Sequence, residues 1–588
     1  MSEWCPTVGA SIPNRLTNGF VIAIQVLLIW GASAAAQANP RTSIPSLYSD
    51  PEPFLAAIEV ERPKQKPNVK VTGISVPHHL LAADLVARGF WAASGNTYDR
   101  IILLSPDHFS KSHRPLATTR QDIETPLGTI RNDQAATSPL LANDALFDES
   151  NLFEKEHGIA ALLPFAKYFF PQARIVPIAV SYGSTRSDWD AAVAMLERLI
   201  EPGTLIVQST DYSHYLTHQM AVRRDQETLN VIAADDVNLV AGLLQPDHLD
   251  SKGSQYIQMR LQAGVTKARG TVIANRNSAE YSATGTRTTS YIVTLYSTDA
   301  EGSAKFRYGD QDVFYFGGDT FIGRWLTQPL ADANVRSDVI ARILAVSAGS
   351  PLIVNLEGVL LEDPPNGVSS ELHMMHARLA VPILKALNVR AASLANNHSH
   401  DLGRNGLRES IAILKRAGIV PLQHMKVADL DRFGLVSVNF IGVRDYRGYP
   451  VTKNLADLQA LCRMKARLPL VAFAHWGEEY TRLAQPANYA AAEALHSCGV
   501  NLVIGTHSHR AALRIEAIRG GELQMAFSLG NLLFDQKSDR ASSALLELRL
   551  FKQGTFATRL VPLPNLFELA AEELARREGT GQSLHNAK

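Results

Sequence analysis

An amide, two imidazoles and a carboxylate arrive together in Asn397-His398-Ser399-His400-Asp401, and side chains of these types can hold a divalent ion and move a proton. The apolar run ahead of them, Val389 to Leu394, reads as a buried strand. Behind them Leu407, Ile411 and Leu414 recur at helical spacing up to Gly418, so the cluster stands on a strand-to-helix turn. Ligands of open α/β folds bind at such turns. A lone Asn-His pair is a self-satisfied polar turn, but here the pattern recurs. Val313 to Phe316 runs into Gly317-Gly318-Asp319, and Leu352 to Val354 into Asn355-Leu356-Glu357-Gly358. Val471 to Phe473 runs into His475-Trp476-Gly477-Glu478, and Val503-Ile504 into Gly505-Thr506-His507-Ser508-His509. Five strands thus deliver Asp, Glu, Asn and His to their carboxyl ends, the oxygen and nitrogen donors that suit zinc, manganese or iron.

The elements that position them belong to a chain of 588 residues, more than one core usually organises, so two or more domains are expected. Lys and Arg number 57, as do Asp and Glu, which leaves neither the basic excess of a nucleic-acid binder nor the acidic excess of a disordered chain. Residues 1–38 stand apart: Arg15 precedes an apolar run from Phe20 to Trp30, followed by Ala34-Ala35-Ala36-Gln37-Ala38. That pattern is read as a secretory signal peptide or a retained membrane anchor. Either way the bulk of the protein is expected outside the cytoplasm, periplasmic or otherwise extracytoplasmic, with membrane contact only through this segment. Residues 39–69, with six prolines from Pro40 to Pro67, read as a linker. Of the cysteines beyond the leader, Cys462 and Cys498 are read as two buried thiols, with pairing in an oxidising compartment as the alternative.

From 70 to 298 apolar strands alternate with amphipathic helices, the rhythm of an α/β domain. Ile74-Ser75-Val76 leads to Pro77-His78-His79, Ile101 to Leu104 leads to Ser105-Pro106-Asp107-His108, and Leu205-Ile206-Val207 leads to Asp211-Tyr212-Ser213-His214-Tyr215; Glu156-His157-Gly158 opens a further apolar stretch. These residues resemble the MEMO family, which includes the B component of the AmmeMemoRadiSam system. The resemblance implies an extradiol-dioxygenase-like fold and a His-rich metal or substrate pocket, carried over onto His78, His108, Asp211 and His214, with His157 a weaker member. The pattern departs where Phe109 replaces a second histidine and where Lys252-Gly253 stands for an expected Cys-Gly, which counts against a copper or redox role.

After a polar passage, 299–312, read as a linker, the strand-end motifs of 313–565 resemble the CapA family of poly-γ-glutamate capsule synthesis proteins. The pieces are Gly318-Asp319 to Arg324, Asn355 to Gly358, Ala395 to His398, His475 to Tyr480, Gly505 to His509 and Ser528-Leu529-Gly530-Asn531. The resemblance implies a four-layer αββα fold like that of calcineurin-like metallophosphoesterases, with one or two divalent ions (Mn, Fe or Zn). By it Asp319 and His509 would serve one ion, Asn397, His475 and His507 the other, and Glu357 would bridge; His398 would protonate the leaving group and Arg324 would hold a substrate anion. Phe321 stands where the family's Asp-x-His histidine would be, one ligand fewer. Residues 566–588 read as a flexible tail. The expected function is a metal-dependent, phosphoesterase-like hydrolase in capsule or exopolymer synthesis or envelope metabolism. Its expected partners are an anionic polymer or phosphoester and the envelope biosynthesis machinery, with no nucleic acid. The alternatives are a non-catalytic tether for an anionic polymer with the MEMO-like half as docking module, and a metal-dependent redox or dioxygenase-like enzyme.

Overall fold

Apolar side chains alternate along the strands of the first half, and the alternation builds a core on each face of one sheet. Ile101 and Leu103 join one core, Ile102 and Leu104 the other. In the computed structural model, which describes residues 43–282, 285–365, 369, 371–442 and 451–579, this sheet has nine strands. The expected export segment, 1–38, and the last part of the expected tail, 580–588, lie outside the described residues. The centre of the sheet is parallel, with Val71–Val76, Thr204–Ser209, Arg100–Pro106 and Arg174–Val180 side by side. Helices Glu52–Val60 and Ala83–Ala93 cover one face, and Arg186–Leu196, His218–Ala234 and Lys252–Leu261 cover the other.

The second half has two sheets. One runs in the order Val420–Leu422, Val389–Ser393, Leu352–Leu356, Gln311–Thr320, Ser543–Phe551, Phe556–Leu563, with Asn531–Leu533 also pairing to Gln311–Thr320. The other runs Val427–Asp429, Gly434–Asn439, Leu470–His475, Val500–Thr506, Leu523–Ala526, Glu516–Ile518. Phe316, Ile353, Ala391, Val471, Phe473, Leu502 and Ile504 meet in the core between them. The alternate residues Tyr315, Val354 and Ala392 face helices Ala333–Ser347, Ala377–Ala386, Gly403–Arg416 and Leu566–Arg577, whereas Ala472, Ala474 and Val503 face helix Pro486–Ser497. The architecture is therefore α/β in both halves, and the second half has the four layers αββα.

Four expectations are corrected. The proline-rich passage read as a linker is folded from residue 43: Ile44, Phe54 and Ile58 are buried in the first core, because Pro51 and Pro53 start a helix, Glu52–Val60, whose apolar face packs on Ala83–Ala93. The passage 299–312 is also anchored, since Phe306 is buried and its carbonyl accepts from Arg549 Nη1. The expected tail begins as helix Leu566–Arg577, capped by Asn565 and buried through Leu566, Phe567 and Ala570. Cys462 and Cys498, expected as buried thiols, form a disulfide, because the segment Leu455–Arg463 and helix Pro486–Ser497 lie on the same outer face of their sheet and end side by side.

The halves do not separate: the described residues from Ser43 onward form one unit. Helix His218–Ala234 lies in the seam, where Gln226 brackets Phe556 through both backbone groups, at 2.8 and 3.0 Å, and Asn230 Nδ2 donates to Gly521 O at 2.6 Å. Buried Asp225 accepts from Ser213 Oγ at 2.5 Å, from Asn275 Nδ2 at 3.0 Å and from Gln553 Nε2 of the second half at 3.1 Å. Phe551 and Ala557 complete the second core of the first half.

Candidate functional site

The parallel strands of the two facing sheets end at the same edge, so their carboxyl-terminal residues converge. Asp319 comes from Gln311–Thr320, Glu357 from the turn after Leu352–Leu356 and Asn397 from the turn after Val389–Ser393; His475 ends Leu470–His475, and His507 and His509 follow Val500–Thr506. Close backbone approach makes this possible: a Cβ on Gly318 would stand 1.8 Å from Gly530 O, and one on Gly505 would stand 1.7 Å from Phe527 O. His507 and His509 hold φ of 90° and 57°, a left-handed backbone that non-glycine residues keep only where surroundings enforce it. His507 N–H donates to Asp319 Oδ2 at 3.0 Å, which ties this strained turn to the opposite sheet.

Two fully buried donor sets share one carboxylate. Ring nitrogens of His475 and His507 and an oxygen of Glu357 lie within 4.8 Å of one another, and so do Asp319, Glu357 and His509. Asn397 Oδ1 meets His475 Nε2 at 2.7 Å, which puts the amide beside the first set. His509 Nδ1 is 3.4 Å from Asp319 Oδ2 and 2.8 Å from Asn531 Oδ1. The resemblance assigns Asp319 and His509 to one ion and Asn397, His475 and His507 to the other; the structure brings these side chains into two neighbouring groups, with Glu357 in both.

Electrostatics fit a cation. Burial, then the Asp319 charge, pushes Glu357 well above the ordinary carboxylate range. Burial, then the His507 ring, holds His475 well below its usual value, and burial, then His509, brings His507 down to about 4, so both are the neutral imidazoles that ligate metals. For His509 burial pulls downward, but the Asp319 carboxylate outweighs it and the net shift is upward. Glu357 Oε2 and His507 Nδ1 are buried without a hydrogen-bond partner. Buried polar atoms are normally satisfied, so orphaned oxygen and nitrogen atoms in these donor sets are what a divalent ion would complete.

His398 Nδ1 meets Asp401 Oδ2 at 2.9 Å, a carboxylate that fixes its tautomer and ring direction. Phe321 is fully buried and stacks on His373 at 4.6 Å, so the first-motif position supplies no ligand. Arg324, expected to hold a substrate anion, instead forks onto Asp535, with Nε to Oδ2 at 3.0 Å and Nη2 to Oδ1 at 2.6 Å. A carboxylate from the neighbouring loop satisfies the bidentate geometry internally.

In the first half, three adjacent parallel strands explain why the histidines meet. Val71–Val76, Thr204–Ser209 and Arg100–Pro106 lead to His78, to Asp211 and His214, and to His108. His78 Nε2 lies 3.4 Å from Asp250 Oδ2, while His108 Nε2 and His214 Nε2 each lie 3.9 Å from it. Asp211 Oδ1 accepts from His78 N–H at 3.0 Å, and burial, then Asp250, pushes this carboxyl up to about 7. His157, the weaker member by sequence, is fully part of the cluster: it stacks on His108 at 4.1 Å and forms a donor set with His78 and His108. Glu156 Oε1 holds His108 Nδ1 at 2.6 Å. His214 Nε2 and Asp250 Oδ1 have no partner, so this pocket also has unmet polar capacity. Pro106, Val180, Tyr182, Tyr215 and Pro246 line a cavity of about 170 Å³ beside it.

Sequence reasoning did not single out Asp250, His373 or Asp535, and it placed Asp401 and Asn531 in its motifs without giving either a role. Asp250 stands two residues before the Lys252-Gly253 pair, a signal that was within reach. His373 directly precedes the short strand Met374–His376, at its amino rather than its carboxyl end, and no apolar run leads into it.

Residues 48–295 match the family model described as Memo-like protein, and residues 313–424 and 443–536 match that of bacterial capsule synthesis protein PGA_cap. A MEMO1 family protein of Thermotoga sp. (strain RQ2) is 27% identical over 36% of this chain and 77% of its own length; one of Aquifex aeolicus is 29% identical over 37% and 58%. The PGA biosynthesis protein CapA of Bacillus subtilis is 24% identical over 42% of this chain and 70% of its own. With these matches falling in order on the two sheet systems, the chain carries a Memo domain followed by a PGA_cap domain.

Proposed function

We propose that the chain is an exported protein of capsule or exopolymer metabolism whose second half hydrolyses a phosphoester-like bond with divalent metal. The observation that supports it most is Glu357, shared by two buried donor sets and left with an unpartnered oxygen. Asp319, Glu357 and His509 would hold one ion, and Glu357, Asn397, His475 and His507 the other. A bound divalent pair supplies a nucleophilic water at neutral pH and charge stabilisation on phosphoryl oxygens. The chain's own residues do the rest: the facing sheets fix the donors, Asp401 orients the His398 ring, and His398 gives its proton to the departing oxygen. Metal-free protein reconstituted with Mn, Fe or Zn should hydrolyse a phosphomonoester, phosphodiester or γ-glutamyl substrate from a panel. No turnover with any metal, together with retention of an anionic polymer, would replace this reading with that of a tether. The Arg324–Asp535 pair weighs against the tether, because the guanidinium that would grip the polymer is engaged.

Export draws support from the Cys462–Cys498 disulfide, since such bonds persist in oxidising compartments. Among the described residues no helix is long and apolar enough to cross a membrane, which leaves the leader as the only membrane contact we propose. Amino-terminal sequencing of protein from its native host should find a start near Gln37 or Asn39. A full-length chain in the cytoplasm would overturn export, and an intact chain in the membrane fraction would favour the anchor.

A further inference from the structure

His373 belongs to none of the strand-end motifs, yet it is built into the second-half centre. Its ring lies face to face with His398 at 3.6 Å and 20°, and Phe321 lies against it at 4.6 Å and 21°. Its backbone N–H donates to Asp401 Oδ2 at 2.7 Å, the oxygen that also meets His398 Nδ1. The residue is only 6% exposed, and its Nδ1 is buried with no hydrogen-bond partner. One of its ring nitrogens lies within 4.8 Å of donor atoms of both Glu357 and His398.

Core packing does not account for this side chain. A buried imidazole nitrogen without a partner is costly, and an apolar ring would fill the same space without that cost. A neutral imidazole carries one N–H that it can donate. Three restraints hold it: Phe321 against the ring, His398 stacked on it and Asp401 on its backbone. A polar atom this firmly held and left unmet is arranged for something that arrives.

We propose that His373 is a substrate-binding residue of this centre, which donates a hydrogen bond to a phosphoryl or ester oxygen beside His398. The substitution of Phe321 for the first-motif histidine then has a counterpart, since the ring that supplies no ligand steadies an imidazole brought from another segment. The inference rests on the metal-centre reading of the second half, but its test does not require turnover.

The test uses the full chain loaded with Zn, with inorganic phosphate as probe, and compares wild type with His373→Phe, which keeps a stacked ring and removes the nitrogens. Calorimetry should show phosphate affinity about 10-fold weaker in the variant, the worth of a hydrogen bond to a charged group, with metal content unchanged. Equal phosphate affinity would overturn the proposal. So would loss of metal in the variant, which would make His373 a ligand instead. Should His373→Phe not fold, His373→Leu carries the same comparison. Phosphate binding that depends on His373 in a protein that hydrolyses no ester would sustain this inference while removing the hydrolase reading.

Discussion

His507→Ala protein should lose about one ion per chain and its turnover together, whereas His398→Ala should keep its metal and lose about 10²-fold in turnover, the typical worth of a positioned acid. The contrast follows from geometry. His507 belongs with His475 and Glu357 in one donor set, and its neutral ring has an unpartnered nitrogen, so its removal takes away a ligand. His398 has Nδ1 committed to Asp401, and what it offers the reaction is a proton. An aryl ester whose leaving group departs unprotonated should therefore be much less sensitive to His398→Ala than an alkyl ester. Metal analysis alongside kinetics with both esters separates the roles; metal loss in both variants, or equal losses on both esters, would remove His398 as the acid.

The second large effect is on stability. Glu547 is buried in strand Ser543–Phe551, where it accepts from Arg549 Nε at 2.5 Å, Arg559 Nη2 at 2.9 Å and Tyr315 OH at 2.5 Å. Burial alone would raise this carboxyl, but Arg549 and Arg559 hold it far below its ordinary value of 4.5. Glu547→Gln leaves two buried guanidinium groups without their counter-charge, and breaking such a network costs about 3–5 kcal/mol. That is a large part of the roughly 5–15 kcal/mol by which native proteins are stable. Denaturant unfolding should show it at neutral pH. Because the folded carboxyl is depressed, its contribution is complete above the ordinary carboxylate range and fades as pH falls below that range toward the folded carboxyl's own depressed value, so the difference between wild type and variant should shrink in acid. A difference below 1 kcal/mol at neutral pH would mean that the network does not hold these strands together.

The strands and the polar residues at their ends were legible because parallel strands buried on both faces leave apolar runs, and the polar residue ending each run marks the site edge. Arg100–Pro106, Leu352–Leu356 and Leu470–His475 announced themselves in this way. What stayed hidden depends on contacts distant in the chain. Asp535 takes the fork of Arg324 from 211 positions away, and His373 reaches His398 from a loop with no periodic pattern. The passages flanking the halves misled for a related reason. Proline and polar content describes a linker as well as it describes a short capped helix, and only the burial of Phe54, Phe306 and Phe567 decides between them.

The helix His218–Ala234 begins four residues after His214, at the mouth of one pocket, and its far end is bonded to Gly521 of the other half. Dissecting the gene at the passage 299–312 would therefore do more than split a tandem. It would uncover Phe551 and Ala557 and strand the Asp225 and Asn230 side chains that now have partners across the seam. Fragments cut there would report on damaged surfaces. Assigning a chemistry to either pocket calls for inactivating one at a time by point substitution within the undivided polypeptide.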